Sequence, residues 1–264
     1  MRSRNVSSSS CPTENSGDGV DRQSSRAVFH VKHGVDSAAG TVGPSTPAVA
    51  SDVFGDRLPL AERYVDLLVT DGIQRGVIGP HEVPRIWPRH ILNCAVVHPA
   101  IPPGAVVADV GSGAGLPGVV VSIVRADVSL FLVEPSQRRV DFLIAVVAQL
   151  GLSNVAVRRA RAEELTAELS VDVVTARAVA PLERLVPWTL PLLAPGGRMV
   201  ALKGRSAQAE LDRTEPLLRR IGARSWWVDE YGSGIVRPPT RVAIVEVGTR
   251  VGQAVPRWRT TRRS

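Results

Sequence analysis

A short apolar run that ends in a glycine-rich loop constrains this chain most. Ala105-Val106-Val107-Ala108-Asp109-Val110 is followed at once by Gly111-Ser112-Gly113-Ala114-Gly115-Leu116-Pro117-Gly118. An unbroken apolar stretch of this length fits a strand covered on both faces. Glycines at its end let the backbone approach a ligand closely, and Pro117 suits the first turn of a following helix. The pattern then alternates. Strands are predicted over 128–133, 155–158, 171–175 and 198–203, with helices over 137–150, 181–193 and 206–221 between them. Two last strands, near 225–229 and 241–247, are joined by a loop and predict an antiparallel edge. Strands separated by helices form a mostly parallel sheet with helices on both faces.

Before this core, residues 51–100 are expected to form a helical extension, with order beginning near Phe54. A helix from Ile86 to His98 would place Ile86, His90, Cys94 and Val97 on one stripe. Residues 1–50 are rich in Ser, Gly, Thr and Pro and read as a disordered leader. The core spans 101–250, and 251–264 is a basic tail carrying Arg257, Arg259, Arg262 and Arg263.

Composition removes several classes. No apolar run approaches the roughly 20 residues of a membrane span, and the basic start lacks the apolar segment of a secretory signal. Cys11 and Cys94 stand in unlike contexts without a CxxC, which excludes a disulfide framework and suits a reducing cytoplasm. No histidine spacing predicts a metal site. Lys and Arg total 32 against 25 Asp and Glu, a balance open to an acidic partner such as nucleic acid.

Gly113, Gly115 and Gly118 satisfy GxGxxG, a pattern shared by nucleotide cofactors of different charge. Asp109 decides between them. A pyrophosphate beside that carboxylate would meet repulsion of ~1 kcal/mol at about 4 Å in water, and more when desolvated. S-adenosylmethionine carries cationic groups instead and would welcome an acid at the mouth of the loop. Glu134 ends the second strand, where a carboxylate can bind both ribose hydroxyls. Either cofactor would use it, so an NAD-binding dehydrogenase stays as the alternative of another class. A loop-bracing role is the plain alternative for Asp109. After the third strand, Arg161-Ala162-Glu163-Glu164 can meet the adenine edge or simply start a helix.

The end of the fourth strand reads Thr175-Ala176-Arg177-Ala178-Val179-Ala180-Pro181. The Asn/Asp-Pro-Pro-aromatic sequence of enzymes that methylate exocyclic amines is absent. Cys94, on a helix before the core, is not set as a pyrimidine-attacking nucleophile. Arginine stays protonated and is a poor base. It suits an acceptor such as guanine N7, whose lone pair needs positioning rather than proton removal. A ribose hydroxyl would need a basic lysine, and Lys203 is the one candidate in the core.

Arg89-His90-Ile91-Leu92-Asn93-Cys94, the Asp109–Gly118 loop, Arg161-Ala162-Glu163-Glu164, Arg177-Ala178 and Ala201-Leu202-Lys203-Gly204 together resemble the ribosomal RNA small-subunit methyltransferase G family. That family is also called glucose-inhibited division protein B. The likeness covers about residues 54–247 and is greatest to actinobacterial members. It implies a Rossmann-like class I S-adenosylmethionine-dependent methyltransferase with a seven-stranded sheet and an N-terminal helical extension. The implied reaction is N7 methylation of guanine 527, in usual rRNA numbering, in 16S rRNA of the small ribosomal subunit or its assembly intermediate. Methylation of another RNA site or a ribose hydroxyl is the alternative within the class. Carried over by position, the resemblance implies cofactor contacts at Gly111, Leu116, Ala162, Glu163 and Arg177. The loop residues Asp109, Ser112 and Gly113 and the ribose acid Glu134 complete the expected cofactor site. Glu134 stands where many members have Asp. Arg177 is also the expected positioning residue for the reaction. Arg89, His90 and Lys203 look like RNA-side residues, joined by Arg257 and Arg259 of the tail.

Overall fold

The computed structural model describes residues 44–248. The leader before them, and Arg257 and Arg259 after them, lie outside the described residues. Strand β1 (Val106–Val110) lies between β2 (Ser129–Val133) and β4 (Val171–Arg177), both parallel to it. β3 (Val155–Arg158) flanks β2, and β5 (Leu193–Lys203) runs parallel to β4. β7 (Thr240–Val247) inserts antiparallel between β5 and the edge strand β6 (Ala223–Tyr231). The order is therefore β3-β2-β1-β4-β5-β7-β6. Chain progression reverses direction between β1 and β4, and the crevice beyond the carboxyl ends of strands at such a switch is where open α/β sheets bind ligands.

Side chains on a strand alternate between faces, and the two faces of the sheet hold different layers. Val107 and Val173 belong to a core formed with the N-terminal extension and the first helices of the core. That layer contains α1 (Val49–Phe54), α2 (Leu58–Leu67), α3 (Asn93–Ala95), α4 (Gly118–Val124) and α5 (Gln137–Leu150). The alternate residues Ala176, Met199 and Ala201 pack against α6 (Leu182–Thr189) and α7 (Ala207–Arg220). Ala108, Val110 and Val174 meet the short turn Ala162–Leu165 on that same side. By the same alternation, Asp109, Thr175 and Arg177 share the face of the extension.

The predicted elements are present, with three differences. The ordered chain begins earlier than Phe54: α1 starts at Val49, where Ala50 is buried and Phe54 meets the Trp87 ring edge-on at 6.4 Å between centroids. The predicted helix over 86–98 winds differently, as a wide π-type turn over Ile86–Leu92, then α3, then a 3-10 turn over His98–Ala100. Pro84 and Pro88 lack the amide hydrogens that regular α winding uses. The stripe survives, because Ile86, His90, Cys94 and Val97 are all buried. β5 begins at Leu193 rather than Arg198, since Leu193 pairs with Val171 before an irregularity in the ladder.

Candidate functional site

The glycine loop is shaped by backbone bonds and by missing side chains. The amides of Gly111 and Ser112 both donate to the carbonyl of Val133, at 2.9 and 3.1 Å. Gly115 has φ +96°, and a Cβ there would lie 2.5 Å from Val119 Cγ2 and 2.9 Å from Tyr64 Oη. That Tyr64 hydroxyl, from α2, donates to the carbonyl of Ala114 at 2.7 Å. A Cβ on Gly118 would lie 2.4 Å from Leu132 Cδ2 and 2.7 Å from Asp109 Oδ2. Glycine at 118 thus lets α4 descend onto β1 and β2.

Asp109 is a correction to the sequence reading. It does not stand at the mouth of the loop facing a ligand: it is fully buried beneath α4. Oδ1 accepts from the Thr175 hydroxyl at 2.9 Å, and Oδ2 accepts from the Gly118 amide at 3.1 Å. The cause is register, because Asp109 lies directly opposite Thr175 and both point to the extension's face. Burial pushes its pKa up to about 6, against the lowering effect of hydrogen bonds and of the Arg177 charge. Ser112, also buried, donates from Oγ to the Asp109 carbonyl at 2.8 Å. Leu116 packs against the main core. Asp109, Ser112 and Leu116 hold the loop and do not line the cleft beside it.

That cleft lies at the switch point. Among its walls are Val110, Gly111, Glu134, Ala162, Glu163, Ala178, Val179 and Trp188. Glu134 lies at its base, with Oε2 accepting from the Gly113 amide and Oε1 from the Ser136 amide, each at 3.0 Å. Arg139 approaches Oε1 to 3.6 Å. A carboxylate oxygen accepts more than one bond, so Glu134 retains capacity for a diol. Glu164, rather than Glu163, caps the following turn, accepting from the Arg161 amide at 2.9 Å. Glu163 is left on the cleft wall. An apolar slot of Val110, Ala162, Val179 and Trp188 with an acid at its base fits an adenosine, and Gly111 lies so close to Val179 that a Cβ would approach it to 2.7 Å.

At the other end, Arg177 precedes Ala178, a cleft residue with φ +54°. Its guanidinium turns to the extension. Nη2 donates to His90 Nδ1 at 2.6 Å, and Nη1 donates to Cys94 Sγ at 2.9 Å. His90 Nε2 is 2.7 Å from Glu82 Oε2. Burial and the Arg177 charge lower the pKa of His90, and burial raises that of the Cys94 thiol. His90 therefore faces Arg177 and Glu82 and is enclosed, not laid out on an RNA-side surface. Lys203 is likewise withdrawn, donating to Glu210 Oε2 at 2.9 Å and to the Ala180 carbonyl at 2.7 Å. Arg89 is the exposed member of the expected RNA-side group, 3.6 Å from Glu82.

The structure therefore gathers Gly111, Glu134, Ala162 and Glu163 around one cleft, with Gly113 bonded to Glu134 behind it. Arg177 ends β4 next to the cleft residue Ala178 and turns its side chain to the extension. Val179, Trp188, Arg139 and Glu82 were not singled out from the sequence. They come from a loop, two helices and a 3-10 turn whose local patterns carry no cofactor signature.

A family profile described as GidB, rRNA small subunit methyltransferase G, matches residues 57–227. Proteins named ribosomal RNA small subunit methyltransferase G are similar over most of their length. The one from Streptomyces coelicolor is 51% identical over 210 residues, covering 79% of this chain and 88% of that one. Its counterpart from Salinispora arenicola is 51% identical over 231 residues, covering 85% and 95%. That of Thermobifida fusca is 53% identical over 200 residues, covering 76% and 84%. Among solved structures, an S-adenosylmethionine-dependent O-methyltransferase from Thermotoga maritima aligns with TM-score 0.47 at 15% identity, over 65% of this chain and 72% of that one.

Proposed function

The chain belongs to the rRNA small subunit methyltransferase G family, and from that premise we propose that it methylates N7 of guanine 527 in 16S rRNA. It is an S-adenosylmethionine-dependent rRNA methyltransferase. One observation carries the choice of N7: among the described residues, the Arg177 cluster offers an arginine and no side chain free to take a proton. His90 has both ring nitrogens engaged, and Lys203 is ion-paired with Glu210. A ribose hydroxyl acceptor would require one of them as a base.

Glu134 would hold the ribose, Ala162 and Glu163 the adenine edge, and the Gly111–Gly113 backbone the amino-acid portion. When bound, S-adenosylmethionine supplies an electrophilic methyl group that an N7 lone pair can take without loss of a proton. Asp109 keeps the loop in shape through Gly118 and Thr175. Arg177 orients the base, its planar donors suited to an acceptor such as guanine O6. The exposed Arg89 and the tail arginines, Arg257 and Arg259 among them, would meet phosphates of the small subunit or its assembly intermediate. A ribosomal substrate of this kind puts the enzyme in the cytoplasm.

The test is to map N7-methylguanine in rRNA from cells with and without this protein. A single guanine in 16S rRNA should lose its methyl group in the deficient cells. A lost ribose methyl, or a mark at a different nucleotide, would overturn the assignment. Calorimetry with S-adenosylmethionine and NAD separates the dehydrogenase alternative, which predicts NAD binding.

A further inference from the structure

We infer that Glu82 and His90 are positioning residues for methyl transfer, setting the guanidinium of Arg177 through one tautomer of the His90 ring. The inference rests on the reading of Arg177 as the residue that orients the acceptor base.

The hydrogen-bond chemistry of the contact leaves one arrangement. A guanidinium only donates, so His90 Nδ1, 2.6 Å from Arg177 Nη2, must be an unprotonated acceptor. The ring hydrogen is then on Nε2 and points at Glu82 Oε2, 2.7 Å away. An ionised carboxylate only accepts. Glu82 therefore selects the tautomer that gives Arg177 its acceptor. The opposite tautomer, or a protonated ring, would set an N–H against the guanidinium. The Cys94 thiol and the His90 carbonyl, at 2.9 and 3.5 Å from Nη1, fix the guanidinium from a second direction. Among the described residues, these bonds leave Nε and one hydrogen of Nη2 for a ligand.

The local winding is what makes the relay. Glu82 lies in a 3-10 turn over Pro80–Arg85, and His90 in the wide turn that follows. Their side chains meet although they are eight residues apart, and Cys94, one wide turn further on, reaches the same guanidinium. Arg85 and Arg89 lie 3.2 and 3.6 Å from Glu82 and help keep it ionised. The hydrogen bond from His90 is the largest cause of the lowered Glu82 pKa, ahead of the Arg89 and Arg85 charges. Glu82 is not among the buried residues of the core, and its side chain keeps 25% exposure on the 3-10 turn. Its removal should leave the fold intact while releasing the ring it orients.

The test uses the full-length protein with ring-15N histidine and long-range proton–nitrogen spectra. The His90 signals are identified by their loss in His90→Asn. Single-turnover methyl transfer to undermethylated small ribosomal subunits is measured in parallel at saturating S-adenosylmethionine. In the wild type, His90 should show Nε2 protonated and Nδ1 bare. Glu82→Ala should mix the tautomers and slow transfer about tenfold, the order of one charge-assisted hydrogen bond, with cofactor affinity within about twofold. His90→Asn puts an acceptor oxygen near the place of Nδ1, whereas the longer amide of His90→Gln reaches toward Glu82. The Asn enzyme should therefore keep severalfold more rate than the Gln enzyme, although Gln is closer to His in size and a packing role would give the reverse order. Unaltered tautomer and rate in Glu82→Ala, or equal rates for the two amides, overturn the assignment. If Arg177→Lys turns over at the wild-type rate, the acceptor role of Arg177 fails and this assignment fails with it. If Arg177→Lys is slow while the Glu82 and His90 variants are normal, this assignment alone fails.

Discussion

The cleft and the Arg177 cluster that adjoins it through Ala178 are built in opposite ways. The cleft is built on the glycine loop and Glu134 together with the Ala162–Glu163 turn, Val179 and Trp188. Its loop is held by amide hydrogens and by the absence of Cβ atoms at Gly115 and Gly118. The Arg177 cluster joins side chains far apart in sequence: Arg177 bonds His90 and Cys94, 87 and 83 residues away. A backbone-built site has little freedom, because a Cβ added at Gly111, Gly115 or Gly118 collides with a neighbouring element. A site built from side chains can lose one contact and keep its fold. Substitutions in the loop should cost stability and cofactor affinity, and those in the cluster should cost rate.

The sharpest way to break this contrast is Gly118→Ala. The new methyl group would collide with Leu132 and Asp109, and overpacking of this kind costs about 3 kcal/mol. Chemical denaturation should show that loss, together with severe loss of S-adenosylmethionine binding by calorimetry. A variant as stable as the wild type would mean that α4 is free to lift from the sheet.

Asp109→Asn sharpens the same side. Losing the carboxylate that braces the loop through Gly118 and Thr175 should weaken cofactor binding indirectly, by at most the roughly 2 kcal/mol of one charge-assisted hydrogen bond, with circular dichroism unchanged. Stability supplies a second signature. Folding raises the Asp109 pKa from 3.8 to about 6, so the folded state favours the protonated form. That contribution is fully present below about pH 3.8 and is lost as pH rises through about 6. The stability of the wild type relative to Asp109→Asn should fall by about 3 kcal/mol across that window. A flat difference would mean that the carboxyl is not desolvated.

In the cluster, Arg177→Lys keeps the charge but loses the planar fork. Single-turnover transfer should slow about tenfold, with thermal stability little changed. Across about pH 6 to 9 the rate at saturating substrates should lack a steep ascending limb, since no base is required. A limb with a pKa near neutrality would point to an exocyclic amine or hydroxyl acceptor.

The smallest effect is expected from removing the chain after Val255. Subunit affinity should drop severalfold at low salt and converge with the full-length protein as salt rises, because phosphate contacts are screened. Cofactor affinity should not change. Equal subunit binding at low salt would make the tail irrelevant to recognition.

These differences track what was legible in the amino-acid order. Helix α5 matches its predicted limits of 137–150, and β3 matches 155–158, because apolar periodicity and a glycine stop are local signals. Gly111, Glu134, Ala162 and Glu163, candidates from their places at strand ends and from the family resemblance, lie on one cleft. Asp109 was found, but its direction was misjudged. A carboxylate two residues before a glycine looks exposed until its register with Thr175 is known. Lys203 looked available for RNA, but Glu210, seven residues on in α7, turns it inward.

The sequence by itself determined the alternation of strands and helices, the glycine loop with its paired acids, and the charge that permits a nucleic-acid partner. Each depends on residues within about one element of one another, where backbone geometry and side-chain period leave few choices. Only the tertiary structure decided that Asp109 lies buried against Gly118 and Thr175, and that Arg177 meets His90, which in turn meets Glu82. Those outcomes depend on which sheet face the extension covers and on how prolines widen the turn at 86–92. Side chains more than 80 residues apart meet only after the layers have packed.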